Sequence, residues 1–206
     1  MKSPQFQPLM IAGPVGQLDT LFLDSALDEA PVGIALVAHP NPTQGGTNTN
    51  KVVQTVAKVF SRRGWVVYCP NLRGVGKSEG EHDHGKAEVD DMATVLAHAQ
   101  ASHPGLLVAL AGFSFGTYVQ SQLAERLGAG ALARLILVAP ATNKWAFPAV
   151  PADTLVIHGE EDDVAPLGAA FDWARPQSLP IVVIPGAGHF FHGKLTVLAD
   201  VVNRHL

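Results

Sequence analysis

Apolar residues in this chain come in short unbroken runs, separated by stretches with helical spacing. Residues 32–38 form the first such run, which closes on His39-Pro40-Asn41-Pro42. Residues 51–62 follow, with Val52, Val53, Val56, Val59 and Phe60 on one helical face. Residues 65–69 read as the next strand. Residues 88–101 read as a helix with Val89, Met92, Val95 and Leu96 at core spacing. The alternation continues with a strand at 106–111, a helix at 115–127 and strands at 135–139, 155–158 and 181–184. Residues 166–174 and 190–204 read as the last helices.

Continuous aliphatic strands alternating with helices predict a mostly parallel sheet covered on both faces. Residues 5–23 differ. They read as two strands around Gly13-Pro14-Val15-Gly16, an antiparallel hairpin at the sheet edge. The expectation is one α/β domain over residues 1–206, with seven or eight strands. No repeat or linker interrupts it.

Composition narrows the function. The 206 residues are 47% hydrophobic and only 16% charged, with a net charge of -4. That balance suits a sheet-centred enzyme and disfavours a nucleic-acid partner, which usually meets a basic face. No apolar run reaches the roughly 18 residues that span a bilayer, so no membrane partner is expected. Residues 1–10 lack the apolar core of a secretory signal. One cysteine, Cys69, excludes an internal disulfide and fits a reducing compartment, so a cytoplasmic location is expected. Cys69 ends a strand and reads as a small core residue.

The chemistry gathers where strands end. Gly112-Phe113-Ser114-Phe115-Gly116 stands between a strand and a helix, the context that the G-x-S-x-G elbow requires. Its glycines make room for a tight turn that lifts Ser114 clear of the sheet. A serine hydroxyl needs a base. In such elbows the partners follow in the order serine, acid, histidine. Of nine histidines, His189, His192 and His205 lie beyond the acidic stretch Glu160-Glu161-Asp162-Asp163. His189 directly follows a strand, in the loop that should reach Ser114. His192 falls within the expected last helix and His205 at the chain's end, and both read as solvated. Any of the four acids can in principle accept the second imidazole N–H.

These motifs resemble the α/β-hydrolase superfamily over nearly the whole chain. His158-Gly159 and Asp162 match an HGxxDxxxP stretch, so the resemblance implies Asp162 as the orienting acid, with Asp163 as the fallback. A narrower resemblance is to small, lidless bacterial serine hydrolases of esterase type. It rests on His39-Pro40-Asn41-Pro42, on Gly45-Gly46-Thr47 with Asn50-Lys51-Val52-Val53, on Asn71-Leu72-Arg73-Gly74-Val75-Gly76-Lys77-Ser78, and on Gly188-His189-Phe190-Phe191. The resemblance implies an oxyanion hole built from the Phe115 N–H and a second amide in the loop after residue 38. There Asn41 is the only donor between two prolines. His39 is expected to shape that loop rather than act as a base. Residues 141–153 are too few for a folded cap. The site should be open, with Phe113, Phe115, Trp145, Phe147 and Phe190 as candidate pocket walls.

The expected activity is hydrolysis of small carboxylic esters or thioesters through an acyl-enzyme. The alternatives are a peptidase or amidase on the same residues, and a hydrolase-like protein that only binds a small molecule. No cofactor and no metal are called for. Gly76-Lys77-Ser78 mimics the end of a phosphate loop, but Asn71 stands where that loop needs glycine. His82-Asp83-His84 reads as a polar loop at the mouth of the site.

Overall fold

The computed structural model describes residues 2–206. Its elements are β1 (Gln7–Gly13), β2 (Gly16–Leu23), β3 (Gly33–Ala38), α1 (Lys51–Arg62), β4 (Trp65–Pro70), α2 (Glu88–Ser102), β5 (Leu107–Phe113), α3 (Phe115–Leu127), β6 (Arg134–Val138), β7 (Leu155–Gly159), α4 (Leu167–Ala174), β8 (Ile181–Ile184) and α5 (Leu195–Arg204). The eight strands form one sheet in the order β1-β2-β4-β3-β5-β6-β7-β8. β1 pairs with β2, and β2 with β4, antiparallel; every other pairing is parallel. The predicted α/β architecture with an antiparallel hairpin at one edge is what the chain adopts.

Period-two alternation along β5 explains the two layers of core. Ala109, Ala111 and Phe113 face one layer, with Val53, Val56 and Phe60 of α1 and Leu198 and Val202 of α5. Val108 and Leu110 face the other, with Met92 and Val95 of α2 and Val119 and Leu123 of α3. Full burial contributes about 1.5–3 kcal/mol for each such large side chain, which fixes strand register and helix rotation together. α1 begins at Asn50, whose side chain accepts the N–H groups of Val52 (2.8 Å) and Val53 (3.4 Å).

Two local readings need correction. The last helix starts at Leu195, not at 190. Phe190, Phe191 and His192 stand in turns, because Phe191 takes a positive φ of 52° and drives its ring fully into the core. Helical continuation from Phe190 would turn that ring away. The central strand runs two residues beyond 111, to Phe113, which brings the chain directly to Ser114. The connection from Val138 to Leu155 contains turns but no helix or strand, so no cap covers this end of the sheet.

Candidate active site

Ser114 stands at the junction of β5 and α3 with φ 53° and ψ -118°. A positive φ is strained for a residue with a side chain, by about 1–3 kcal/mol, and the surroundings hold it there. Its N–H donates to the Val138 carbonyl at 2.9 Å. Its own carbonyl accepts the N–H and the hydroxyl of Thr117. The flanking glycines serve close approach. A Cβ on Gly112 would collide with the Gly116 carbonyl, and one on Gly116 with the carbonyls of Ala38 and His39. Only glycine at both positions lets β3, β5 and α3 meet under the serine.

The loop after β8 brings His189 over that serine. Its Nε2 is 2.9 Å from Ser114 Oγ, and its Nδ1 is 2.7 Å from Asp162 Oδ2. All three side chains are nearly buried, Ser114 at 5%, His189 at 4% and Asp162 at 6% exposure. Asp162 Oδ1 accepts the N–H groups of Val164 (3.0 Å) and Ala165 (2.7 Å). Burial alone would raise the Asp162 carboxyl. The hydrogen bonds from His189 and Ala165 outweigh it and hold the group below the usual carboxylate range. An ionised Asp162 can only accept, so Nδ1–H of His189 donates to it and Nε2 is left to take the serine hydrogen. Asp163 is exposed and makes no such contact. The Phe113 ring packs beneath the His189 ring, with centroids 5.1 Å apart.

A third element closes the site from the β3 side. His39 is fully buried; its Nδ1 donates to the Pro40 carbonyl at 2.7 Å and its Nε2 accepts the Leu72 N–H at 3.0 Å. The ring thereby ties the His39–Pro42 loop to the segment after β4. That segment is anchored in turn, since Arg73 grips buried Asp91 of α2 through Nε (2.9 Å), Nη2 (2.6 Å) and its backbone N–H (3.1 Å). The Asn41 carbonyl accepts the N–H of Gln44 and Gly46, and the Asn41 side chain accepts that of Thr43. Its own N–H makes no hydrogen bond among the described residues. Phe115 opens α3, so its N–H has no acceptor within the helix. A small cleft of about 60 Å³ joins these parts, lined by Asn41, Gln44, Asn50, Ser114, His189 and Phe190 with the adjoining Pro40, Gly45 and Gly46.

Residues 42–152 match the hydrolase family described as serine aminopeptidase, S33. The chain is 30% identical over 208 aligned residues to the uncharacterized protein RP471 of Rickettsia prowazekii (strain Madrid E), covering 94% of this chain and 86% of that one. It superposes on XC6422 of Xanthomonas campestris, an α/β serine hydrolase without lid, with a TM-score of 0.90 and 36% identity, over 98% of this chain and 93% of that one. An α/β serine hydrolase homologue from Coxiella burnetii gives a TM-score of 0.89 and 35% identity, over 100% and 98%. The chain belongs to the α/β-hydrolase superfamily.

Within this lidless α/β hydrolase the aromatic candidates divide. Phe190 stands at the cleft, 46% exposed. Phe113 lies behind His189 and does not line the cleft. Trp145 and Phe147 are not cleft walls either. They join a separate aromatic row, Phe115–Trp145 (5.1 Å), Tyr118–Phe147 (5.5 Å) and Phe147–Trp173 (5.5 Å), on the α3 side. The cause is the Phe115 side chain, which leaves the elbow toward the α2–α3 layer and carries Trp145 with it. Gln44, Gly45, Gly46 and Asn50, by contrast, line the cleft; the sequence offers Gly45, Gly46 and Asn50 only as motif positions, and nothing in it marks Gln44.

The remaining candidates take structural places. His82 packs on Phe115 at 5.3 Å, with its Nδ1 2.7 Å from Glu88 but off the hydrogen-bond direction. Asn71 binds the Asn48 N–H and Asp19 rather than leaving space for a phosphate. Cys69 is fully buried, which pushes its thiol up. His192 and His205 are exposed. Among the described residues no cluster of three metal-ligating side chains occurs, and no helix is long and apolar enough to cross a membrane.

Proposed function

We propose that the protein hydrolyses small carboxylic esters or thioesters through an acyl-enzyme on Ser114. The observation that carries the reading is the hydrogen-bonded chain from Ser114 Oγ through His189 to Asp162, at 2.9 and 2.7 Å. In this mechanism Ser114 Oγ attacks the carbonyl carbon while His189 Nε2 takes its proton. Asp162 stabilises the imidazolium and fixes its tautomer. The oxyanion of the tetrahedral intermediate accepts the N–H groups of Phe115 and Asn41, both otherwise unengaged. His189 then returns the proton to the departing alkoxide or thiolate. Water, activated by the same imidazole, releases the acid and restores Ser114.

The matched family's description favours a second reading, cleavage of an aminoacyl amide. Such a substrate carries an ammonium group, and an aminopeptidase needs a carboxylate to hold it. The residues lining the Ser114 cleft present amides, glycines and one phenyl ring, and no carboxylate. That lining supports a neutral acyl group. A panel of p-nitrophenyl esters, acyl thioesters and aminoacyl p-nitroanilides tests the choice. Turnover of the esters or thioesters, labelling of Ser114 by a fluorophosphonate and a loss of about 10³-fold or more in Ser114→Ala are expected. Preferential turnover of the anilides would replace the ester reading with the peptidase one.

A further inference from the structure

The chain has seven arginines. Three meet carboxylates: Arg73 with Asp91, Arg126 with Asp90 and Arg175 with Asp172. The other four, Arg62, Arg63, Arg134 and Arg204, form no ion pair among the described residues. All four line two adjoining clefts of about 500 Å³ each, which share Arg134 and Leu206. These clefts lie where the parallel strands begin, beside Trp65, Leu107, Arg134 and Leu155. Ser114 lies where β5 ends, about 20 Å away along the strand.

The cleft beside Arg134 and Arg204 has the makings of a site. Its floor is apolar, built from Ile136, Leu155, Pro180 and Val182. Arg134 is held in place, with Nε donating to the His205 carbonyl at 3.0 Å and Nη1 to the Ala133 carbonyl at 2.7 Å. Its Nη2 remains unengaged. Thr154 lines the same cleft at 5% exposure, and its hydroxyl has no hydrogen-bond partner. A buried hydroxyl without a partner is a cost that folding leaves uncompensated. Asp153 is the one carboxylate side chain on the rim. Arg134 and Arg204 bring two guanidinium groups to the same lining.

We infer that this end of the sheet binds a small amphipathic organic anion. Its carboxylate or phosphate head sits on Arg134 and Arg204; its apolar body covers Ile136, Leu155, Pro180 and Val182. The guanidinium fork matches either head group. The cleft volume falls in the range of small-molecule sites. The site is separate from the Ser114 cleft and does not depend on the reading of that cleft.

Hexanoate, hexyl phosphate and the neutral control hexan-1-ol test it, each titrated into the full-length protein and followed by amide NMR shifts and calorimetry. At least one anion should shift the amides of Arg134, Thr154 and Leu155, and hexan-1-ol should bind at least tenfold more weakly. Tighter hexyl phosphate assigns a phosphate ligand, and tighter hexanoate a carboxylate. The double variant Arg134→Gln, Arg204→Gln should weaken that anion tenfold or more. Activity at Ser114 should stay within twofold. If the double variant does not fold, Arg204→Gln alone carries the test and should weaken the anion several-fold. Binding of neither anion, equal binding of hexan-1-ol, shifts confined to the neighbours of Ser114 and His189, or affinity unchanged by these substitutions would each overturn the inference.

Discussion

His158 Nε2 lies 3.5 Å from Asp162 Oδ2, the same oxygen that meets His189 Nδ1 at 2.7 Å. Two imidazoles therefore face one carboxylate. Only His189 bonds it, because His158 donates its Nε2–H to the Ala165 carbonyl at 2.7 Å. Ala165 in turn donates its N–H to Asp162 Oδ1. Burial, above all, lowers the His158 pKa, although the Ala165 carbonyl and Asp162 favour its charged form. The neutral ring fits, since a proton on its buried, unpartnered Nδ1 would have no acceptor. His158 is thus linked to Asp162 through Ala165, an arrangement that predicts a positioning role.

Replacing His158 by Leu removes the bond to Ala165 and loosens the carboxylate. One hydrogen bond of about 1 kcal/mol predicts a fall of roughly five- to tenfold in kcat, with KM little changed. His158→Gln, which keeps a donor, should recover part of it. Steady-state kinetics on a p-nitrophenyl ester decide this. A KM effect with kcat intact would show that His158 shapes the cleft instead.

Asp162→Asn should be far more damaging than Asp163→Asn. An amide in place of the Asp162 carboxylate cannot both receive the His189 Nδ1–H and stabilise an imidazolium. The expected loss in kcat is about 10³- to 10⁴-fold. Asp163 faces solvent, so Asp163→Asn should stay within about twofold. Comparable losses in both variants would mean that the acidic loop is reorganised during the reaction.

Much of this was legible beforehand, for identifiable reasons. The aliphatic runs of β3, β4 and β7 are buried throughout, and those of β5 and β6 after their first residue, so they carry no polar alternation to confuse with loops. The elbow was legible because Gly112 and Gly116 are required by backbone contacts, not by side-chain chemistry. Asp162 could not be separated from Glu160, Glu161 and Asp163 by composition; only resemblance favoured it. In the folded chain the difference is burial, with Asp162 turned inward to the Val164 and Ala165 amides. Trp145 and Phe147 were opaque because residues 139–154 have no period from which to read a facing direction. The start of α5 was misjudged for a similar reason: Phe190 and Phe191 look helical in spacing until a positive φ intervenes.

Stability should fall in mild acid because of His39. Burial, chiefly, lowers its pKa from 6.5 to about 4. The unfolded chain therefore takes up this proton first as pH falls. The neutral histidine's contribution is complete above pH 6.5, is lost progressively between 6.5 and about 4, and is constant below. The whole span amounts to about 3 kcal/mol, of which about 2 is lost by pH 5. His158 adds in the same direction. Asp162 acts in another window, since its folded value is lowered. Its contribution is present above the unfolded carboxylate range and disappears only as pH falls through the folded value. Urea unfolding at pH 7.5 and pH 5 should show the loss, and His39→Gln should flatten the difference. An unchanged slope in that variant would move the effect to another group.

Acyl-chain preference follows from the size of the Ser114 cleft. At about 60 Å³ it is small beside the roughly 300–1,000 Å³ of most ligand pockets, so only a short acyl group fits within it. Each methylene that is buried contributes about 0.8 kcal/mol, close to fourfold in kcat/KM. The gain should therefore appear from acetyl to butanoyl p-nitrophenyl esters and be exhausted by octanoyl. Phe190 is the one aromatic side chain in the cleft lining, and it is half-exposed. The Val138–Leu155 connection carries no cap that could open at an interface, so the rate should show no jump when the ester concentration passes its micelle threshold. A chain-length series with a detergent titration measures both. A steady climb through decanoyl and dodecanoyl esters, or activation at the interface, would require the Trp145–Phe147 segment to move over the cleft and complete a tunnel, and would locate the acyl site there instead.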